Sequence, residues 1–286
     1  MDRVLFGDNQ FFGINHMSEE KARAQALRFP DTASMIRVLD AALDCGVRTF
    51  MCTTHDRIAG ICDHVRADPE RYRDFRIFPC LPYAHKYADA AVRLGPLGAL
   101  RHFAPTSLPR TIARGAWAAS RTDVIGIMKL LVDAELKMVR GLPVEVVFLQ
   151  NITTDLLLGL GLEDMFVAFA DHVRDGYGAE PGFITMNLPR LLPVLRASGI
   201  ENPIVCSSVN KIGFRMCGGR EVYERVIREE TFRPIAMSVF ASGAISPRPA
   251  LEYVCAQDNI RSIVFGASTP EHIRQTCSLI AELSAD

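Results

Sequence analysis

The stretch Thr53-Thr54-His55-Asp56-Arg57 comes straight after the strand-like run Thr49–Cys52, and it gathers the groups that acid–base chemistry needs. An imidazole beside a carboxylate exchanges protons near neutral pH, because an unperturbed histidine titrates at about 6.5. A second carboxylate, Asp8, leaves the apolar run Val4–Gly7 in the same way, with Asn9 and Gln10 beside it. His16 follows on that loop, and Tyr83, His85 and Lys86 follow the run Phe75–Leu81. His55 is expected as general acid or base, with Asp56 or Asp8 orienting it. Lys86 or Lys211 would stabilise an enolate or alkoxide oxygen.

Asn9, His16, Tyr83, His85, Gln150, Asn187, Ser207 and Asn210 stand at comparable run ends and are candidate substrate contacts. Plainer readings compete with these. Asp8 and Asp56 have the chemistry of helix caps, and Lys86 and Lys211 that of solvated charges. Thr53 and Thr54 read as strand residues with hydroxyls bonded to backbone. Asp8, His16, His55 and His85 could also hold a divalent metal, but they are spread over three loops, so metal ligation stays undecided.

Eight short apolar runs would position these groups: Val4–Gly7, Thr49–Cys52, Phe75–Leu81, Val144–Leu149, Phe183–Met186, Ile204–Ser207, Pro234–Phe240 and Ile263–Gly266. Continuous apolar runs mark parallel strands buried on both faces. Amphipathic stretches separate them. "TASMIRVLDAALDCG" has Met35, Leu39, Ala42 and Leu43 on one stripe, Asp31 or Thr32 as N-cap and Gly46 as its stop. "LEDMFVAFADHV", "LPRLLPVLRASG" and "PEHIRQTCSLIAEL" follow the fourth, fifth and eighth runs. Eight βα units predict a single (β/α)8 TIM barrel over residues 1–286, with the chemistry past the carboxyl ends of the strands. A doubly wound sheet is the competitor, but no GxGxxG follows any run.

The connection from Tyr83 to Pro143 exceeds an ordinary barrel loop. It reads as a long helical insertion between strands 3 and 4, centred on about residues 95–125, ending in a helix with Ile127, Leu131, Ala134 and Met138 on one stripe. A lid or a subunit contact is its expected use, the second giving a homo-oligomer.

Hydrophobic residues make up 49% and charged residues 23% of the chain, which suits a sizeable core. A net charge of −1 with no basic stripe argues against nucleic-acid partners. No apolar run is long enough for a bilayer, and "MDRVLFGDNQ" lacks the regions of a secretory signal. A cytoplasmic protein acting on a small molecule is expected. The eight cysteines form no CxxC pair and read as buried free thiols.

Four segments resemble the aldo/keto reductase superfamily. "MIRVLDAALDCGVRTF" is similar to its first helix and second strand, and "FITMNLPRLLPVLRASG" to its fifth strand and following helix. "PIAMSVFASGAIS" is similar to its seventh strand, and "IRSIVFGASTPEHIRQT" to its eighth strand and phosphate-gripping helix start. The resemblance implies a barrel that reduces carbonyls with a nicotinamide cofactor through an Asp-Tyr-Lys-His tetrad. By the same comparison the aspartate falls on Met51 and the tyrosine on or beside His55 and Asp56. The lysine is replaced in "PCLPY", with Lys86 nearest, and the histidine becomes Gln150. The carboxamide-holding glutamine becomes Ser207 and the stacking tyrosine Met237, while Asn187 and Gly266-Ala267-Ser268-Thr269 are kept. Ser268 and Thr269 would then grip a phosphate.

Three readings follow. The favoured one is redox-neutral acid–base chemistry (elimination, isomerisation or epimerisation) on a small polar substrate, sugar-like or phosphorylated, with no cofactor or a divalent metal. The alternative is an NAD(P)H-dependent carbonyl oxidoreductase with a modified site, in which His55 replaces the proton donor. The third is a non-catalytic barrel used for binding.

Overall fold

The computed structural model describes residues 1–13, 18–83 and 124–284. Eight parallel strands close into a barrel in chain order, with β8 (Ser262–Phe265) pairing back onto β1 (Val4–Phe6). Between them run β2 (Thr49–Thr53), β3 (Arg76–Leu81), β4 (Val146–Leu149), β5 (Glu180–Thr185), β6 (Ile204–Ser208) and β7 (Arg233–Met237). All eight expected strands are present, six with bounds shifted by one or two residues and two with a shift of three. Strand β5 begins earlier because Glu180 pairs with Val146, and β7 stops at Met237 because Ser238 takes a φ of 56° that a strand cannot continue.

Alternation along the strands divides the core in two. Leu5, Met51, Phe78, Phe148, Ile204 and Ile235 pack together inside the barrel. Phe6, Phe50, Val147, Phe183, Val205 and Ile263, which alternate with inward residues along their strands, face outward into the helix layer. The inside is filled by side chains, as an eight-stranded barrel requires. The fit is tight at Gly182, where an added Cβ would lie 2.4 Å from the Phe148 ring. Gly182→Ala should therefore lower stability by about 1–3 kcal/mol through overpacking, read from denaturant unfolding. Combining it with Phe148→Leu should recover part of the loss.

Ten helices surround the barrel among the described residues: α1 (Glu19–Arg28), α2 (Thr32–Asp44), α3 (Asp56–Ala67), α4 (Val124–Leu136), α5 (Asn151–Leu160), α6 (Asp164–Tyr177), α7 (Leu188–Ala197), α8 (Arg220–Glu229), α9 (Pro247–Cys255) and α10 (Pro270–Leu283). The cap signals work as read for α2. Asp31 accepts from the Ser34 N–H at 2.8 Å, and Gly46 follows the last turn at a φ of 87°. Helix α5 is an addition, since the sequence reading took β4 directly to the helix at Asp164.

The β3–β4 connection is long, and residues 84–123 of it, with the expected insertion at 95–125 up to residue 123, lie outside the described residues. Its exit helix α4 is present but rotated from the expected stripe. Met128, Val132, Leu136 and the following Val139 are buried, whereas Ile127 is exposed. That rotation also turns Glu135 inward, 2% exposed. No described helix is long and apolar enough to cross a membrane. All eight cysteines are free thiols; Cys52, Cys62, Cys80 and Cys206 are buried and Cys217 is exposed.

Candidate active site

The mouth at the carboxyl ends of the strands is organised around the end of β2. Asp8 lies just past β1, 5% exposed, and one of its carboxylate oxygens accepts both the Thr53 N–H and the Thr53 hydroxyl, each at 2.7 Å. Burial raises its pKa to about 6 against the lowering effect of those two bonds. Its negative charge adds to burial in pushing the Cys52 and Cys80 thiols well above their ordinary range, so they are inert. Asp8 is thus an acid poised near neutrality over the ends of β2 and β3. It caps no side-chain bond to the short 3-10 turn Asn9–Phe12 that follows, which sets aside its reading as a cap.

The next residue of β2's exit, Thr54, is fully buried and gives its hydroxyl to the Glu135 carboxylate, which also accepts the Tyr83 N–H at 3.0 and 3.1 Å. The two threonine hydroxyls therefore bind buried carboxylates on opposite sides of the strand, where backbone partners were expected. Glu135 is the residue the sequence reading missed. Lys129 and Asp133 lie on the same helix, so its polarity alone does not single out Glu135.

His55 follows as the N-cap of α3. Its Nδ1 accepts the Arg57 N–H at 3.0 Å, and its ring packs against Phe12 (4.4 Å between centroids) and Tyr83 (5.5 Å). Accepting that bond favours the tautomer in which Nδ1 is unprotonated and the ring proton sits on Nε2. The expected orienting carboxylate is not what holds Nδ1. Asp56 is exposed in the first turn of α3, and Asp8 is bonded to Thr53. The cap takes that place, because a helix start offers N–H groups that need acceptors. His55 is consequently presented as an Nε2–H donor.

The other expected contacts separate. Gln150 ends β4 on the inward side, with its Oε1 buried and without a hydrogen-bond partner. Tyr83 lines His55, as described. Asn187 is half-buried at the start of α7, its N–H bound to Thr185 Oγ1 at 2.8 Å. Ser207 is a correction: it alternates with inward Cys206, so it points to the helix layer and is 1% exposed. Its neighbour Ser208 is the mouth residue, with Oγ 3.3 Å from Ser238 Oγ. Asn210 is a second correction, since its amide both donates to and accepts from the Phe214 backbone at 2.8 Å and so closes its own loop. Lys211 and Asn9 are exposed. His16, His85 and Lys86 lie outside the described residues, and among the described ones no cluster of three metal-ligating side chains occurs.

Past β8, which pairs with β1, Thr269 caps α10 by accepting the His272 N–H at 3.2 Å, with Ser268 half-buried before it. Buried Gln10 donates to the Gly7 carbonyl at 2.7 Å, and its Oε1 fills the place where a Cβ on Gly266 would sit. Past β7, Ser238, Ala241 and Ser242 all have positive φ, a backbone strain of about 1–3 kcal/mol each. Met237 itself is half-buried against the inner cluster. A thioether there and an outward-facing Ser207 do not fit a nicotinamide ring and its carboxamide, which need a flat stacking face and amide partners.

No protein-family model and no curated protein matches the sequence. Solved structures do match. A Pseudomonas aeruginosa protein assigned as an aldo-keto reductase aligns at 16% identity over 98% of this chain and 90% of that one, with a TM-score of 0.60. A thermostable aldo-keto reductase in complex with the inhibitor epalrestat aligns at 15% over 100% and 95%, TM-score 0.58. The holo form of an aldo-keto reductase from Bacillus halodurans aligns at 15% over 99% and 90%, also with a TM-score of 0.58. The chain has the eight-stranded (β/α)8 barrel fold of the aldo-keto reductases.

Proposed function

We propose that this barrel is an enzyme of redox-neutral acid–base chemistry, an isomerase, epimerase or lyase of a small hydroxylated substrate. The observation that carries it is Asp8, a buried carboxyl at the mouth with a pKa raised to about 6 and no cation paired with it among the described ion pairs. An acid with that pKa is present in both forms near neutrality, which is what a group that both takes and returns a proton requires. Asp8 removes a proton from a carbon next to a carbonyl, and the His55 Nε2–H supports the oxygen on which negative charge develops. Asp8 then returns the proton to the neighbouring carbon while the hydroxyl on the deprotonated carbon passes its proton to the former carbonyl oxygen (isomerisation), to the same carbon after the intermediate has turned over (epimerisation), or to a departing β-hydroxyl that leaves as water (elimination). A neutral imidazole serves as such a donor without becoming charged. The unpartnered Gln150 Oε1 accepts a substrate hydroxyl, which favours polyol or sugar-like compounds, with or without phosphate.

Deuterium uptake tests this directly. Free and phosphorylated aldoses and ketoses, incubated with the protein in D₂O, should gain deuterium at the carbon next to the carbonyl, without added cofactor. Uptake at the spontaneous rate across the panel would count against the proposal.

The second reading, a nicotinamide-dependent carbonyl reductase, is favoured by the names of the structural neighbours. NADPH titration separates the two. The contacts absent at Met237 and Ser207 correspond to about 1–3 kcal/mol each, so NADPH is expected to bind no tighter than ~0.1 mM by calorimetry. Micromolar binding would transfer the preference to the reductase.

A further inference from the structure

We propose that Glu135 is a positioning residue for His55, acting from the exit helix of the β3–β4 connection; the inference rests on the proposed role of His55 as an Nε2–H donor to the substrate oxygen. The location of this carboxylate is costly in two ways. It is 2% exposed, and it is the penultimate residue of α4, where the negative end of the helix dipole opposes a negative charge. Ordinary packing favours an apolar residue there, since Val132, Leu136 and Val139 on the same face are all buried.

The bonds of Glu135 account for a carboxyl group at this place. It accepts the hydroxyl of Thr54, the residue directly before His55, and the backbone N–H of Tyr83, whose ring packs 5.5 Å from the imidazole. One side chain thus holds both the chain entering His55 and one wall of the ring's slot. Phe12 supplies the other wall, 4.4 Å away. His55 itself sits at φ −64° and ψ 144°, the extended geometry from which its Nδ1 reaches the Arg57 N–H. Releasing Thr54 and Tyr83 frees that geometry, and the ring then loses its favoured tautomer. The Tyr83 N–H is shared between both carboxylate oxygens while Thr54 takes one of them, so glutamine in place of Glu135 keeps the volume but sets an NH2 donor against either the Tyr83 N–H or the Thr54 hydroxyl.

The test needs no substrate, so it is independent of whether the acid–base proposal holds. Histidine-labelled protein is studied by long-range ¹H–¹⁵N correlation, with the His55 signals identified by their loss in His55→Asn. The wild type should show a single Nε2–H tautomer. Glu135→Gln should show averaging between the two tautomers with the melting temperature changed by no more than a few degrees, roughly what one lost hydrogen bond produces in a chain of this size. Thr54→Val should reproduce the averaging, Thr54→Ser should retain the wild-type pattern, and Glu135→Gln with Thr54→Val should add less than the sum of the two. A folded Glu135→Gln with unchanged His55 signals would overturn the proposal. If Glu135→Gln fails to fold, Thr54→Val decides, and unchanged signals there overturn it equally.

Discussion

Asp8→Asn should melt higher than the wild type at pH 8 while losing catalysis. Its carboxyl has a pKa near 6 in the folded protein, above the ordinary carboxylate value of 3.8. Between these values the folded state binds more protons than the unfolded state, so this group's contribution to stability falls as pH rises. It is fully present below about pH 4 and lost by about pH 7. Roughly two pKa units correspond to an upper bound of about 3 kcal/mol at pH 8. Asparagine removes the ionisation, and its Oδ1 can still accept the two Thr53 bonds. The gain of the variant over wild type should therefore be about 1–3 kcal/mol at pH 8 and vanish near pH 4, measured by denaturant unfolding at both pH values. Deuterium exchange into substrate should fall about 10²–10⁴-fold in the same protein, since the group that carries the proton is gone. More stable and less active is the signature of a residue kept for function. A destabilised, inactive variant at pH 8 would instead mark Asp8 as a structural carboxylate.

The second large effect concerns His55, where structure and function separate by substitution. Alanine removes the cap on Arg57 and the ring packed between Phe12 and Tyr83, and should cost about 1–2 kcal/mol of stability together with the catalytic loss. Asparagine is among the best N-cap residues, so His55→Asn should recover much of the capping contribution. It cannot reproduce the distal Nε2–H, and turnover should remain about 10²–10³-fold down, the usual cost of one lost oxyanion donor. Melting curves and exchange rates of the two variants provide the comparison. If His55→Asn regains activity in step with stability, the histidine is a cap and nothing more.

The barrel was legible because buried parallel strands announce themselves. Phe50, Phe78, Val147 and Ile263 fall in unbroken apolar runs, and the caps at Asp31 and Thr269 mark where helices begin. Asp8 and His55 were legible as residues at strand ends, and their placement at the mouth agrees with that logic. Their partners were not. The bond from Asp8 to Thr53 spans 45 positions, and the bond from Thr54 to Glu135 spans 81, and no local pattern encodes either. Glu135 was hidden by a one-position rotation of α4, whose exposed Ile127 and buried Glu135 reverse what their side chains suggest. Ser207 failed for a simpler reason. Where a strand is buried on both faces, polarity does not tell inward from outward, and one residue's shift in register exchanged it with Ser208.

A proton held by Asp8 near neutral pH is the centre of this account, and the titration of its own carboxyl tests it most directly. With ¹³C-labelled aspartate, the Asp8 carboxyl resonance, assigned by its absence in Asp8→Asn, should titrate with a midpoint of about 6. A midpoint at or below the ordinary value of 3.8 would contradict it, leaving Asp8 fully ionised at working pH and unable to act as the acid.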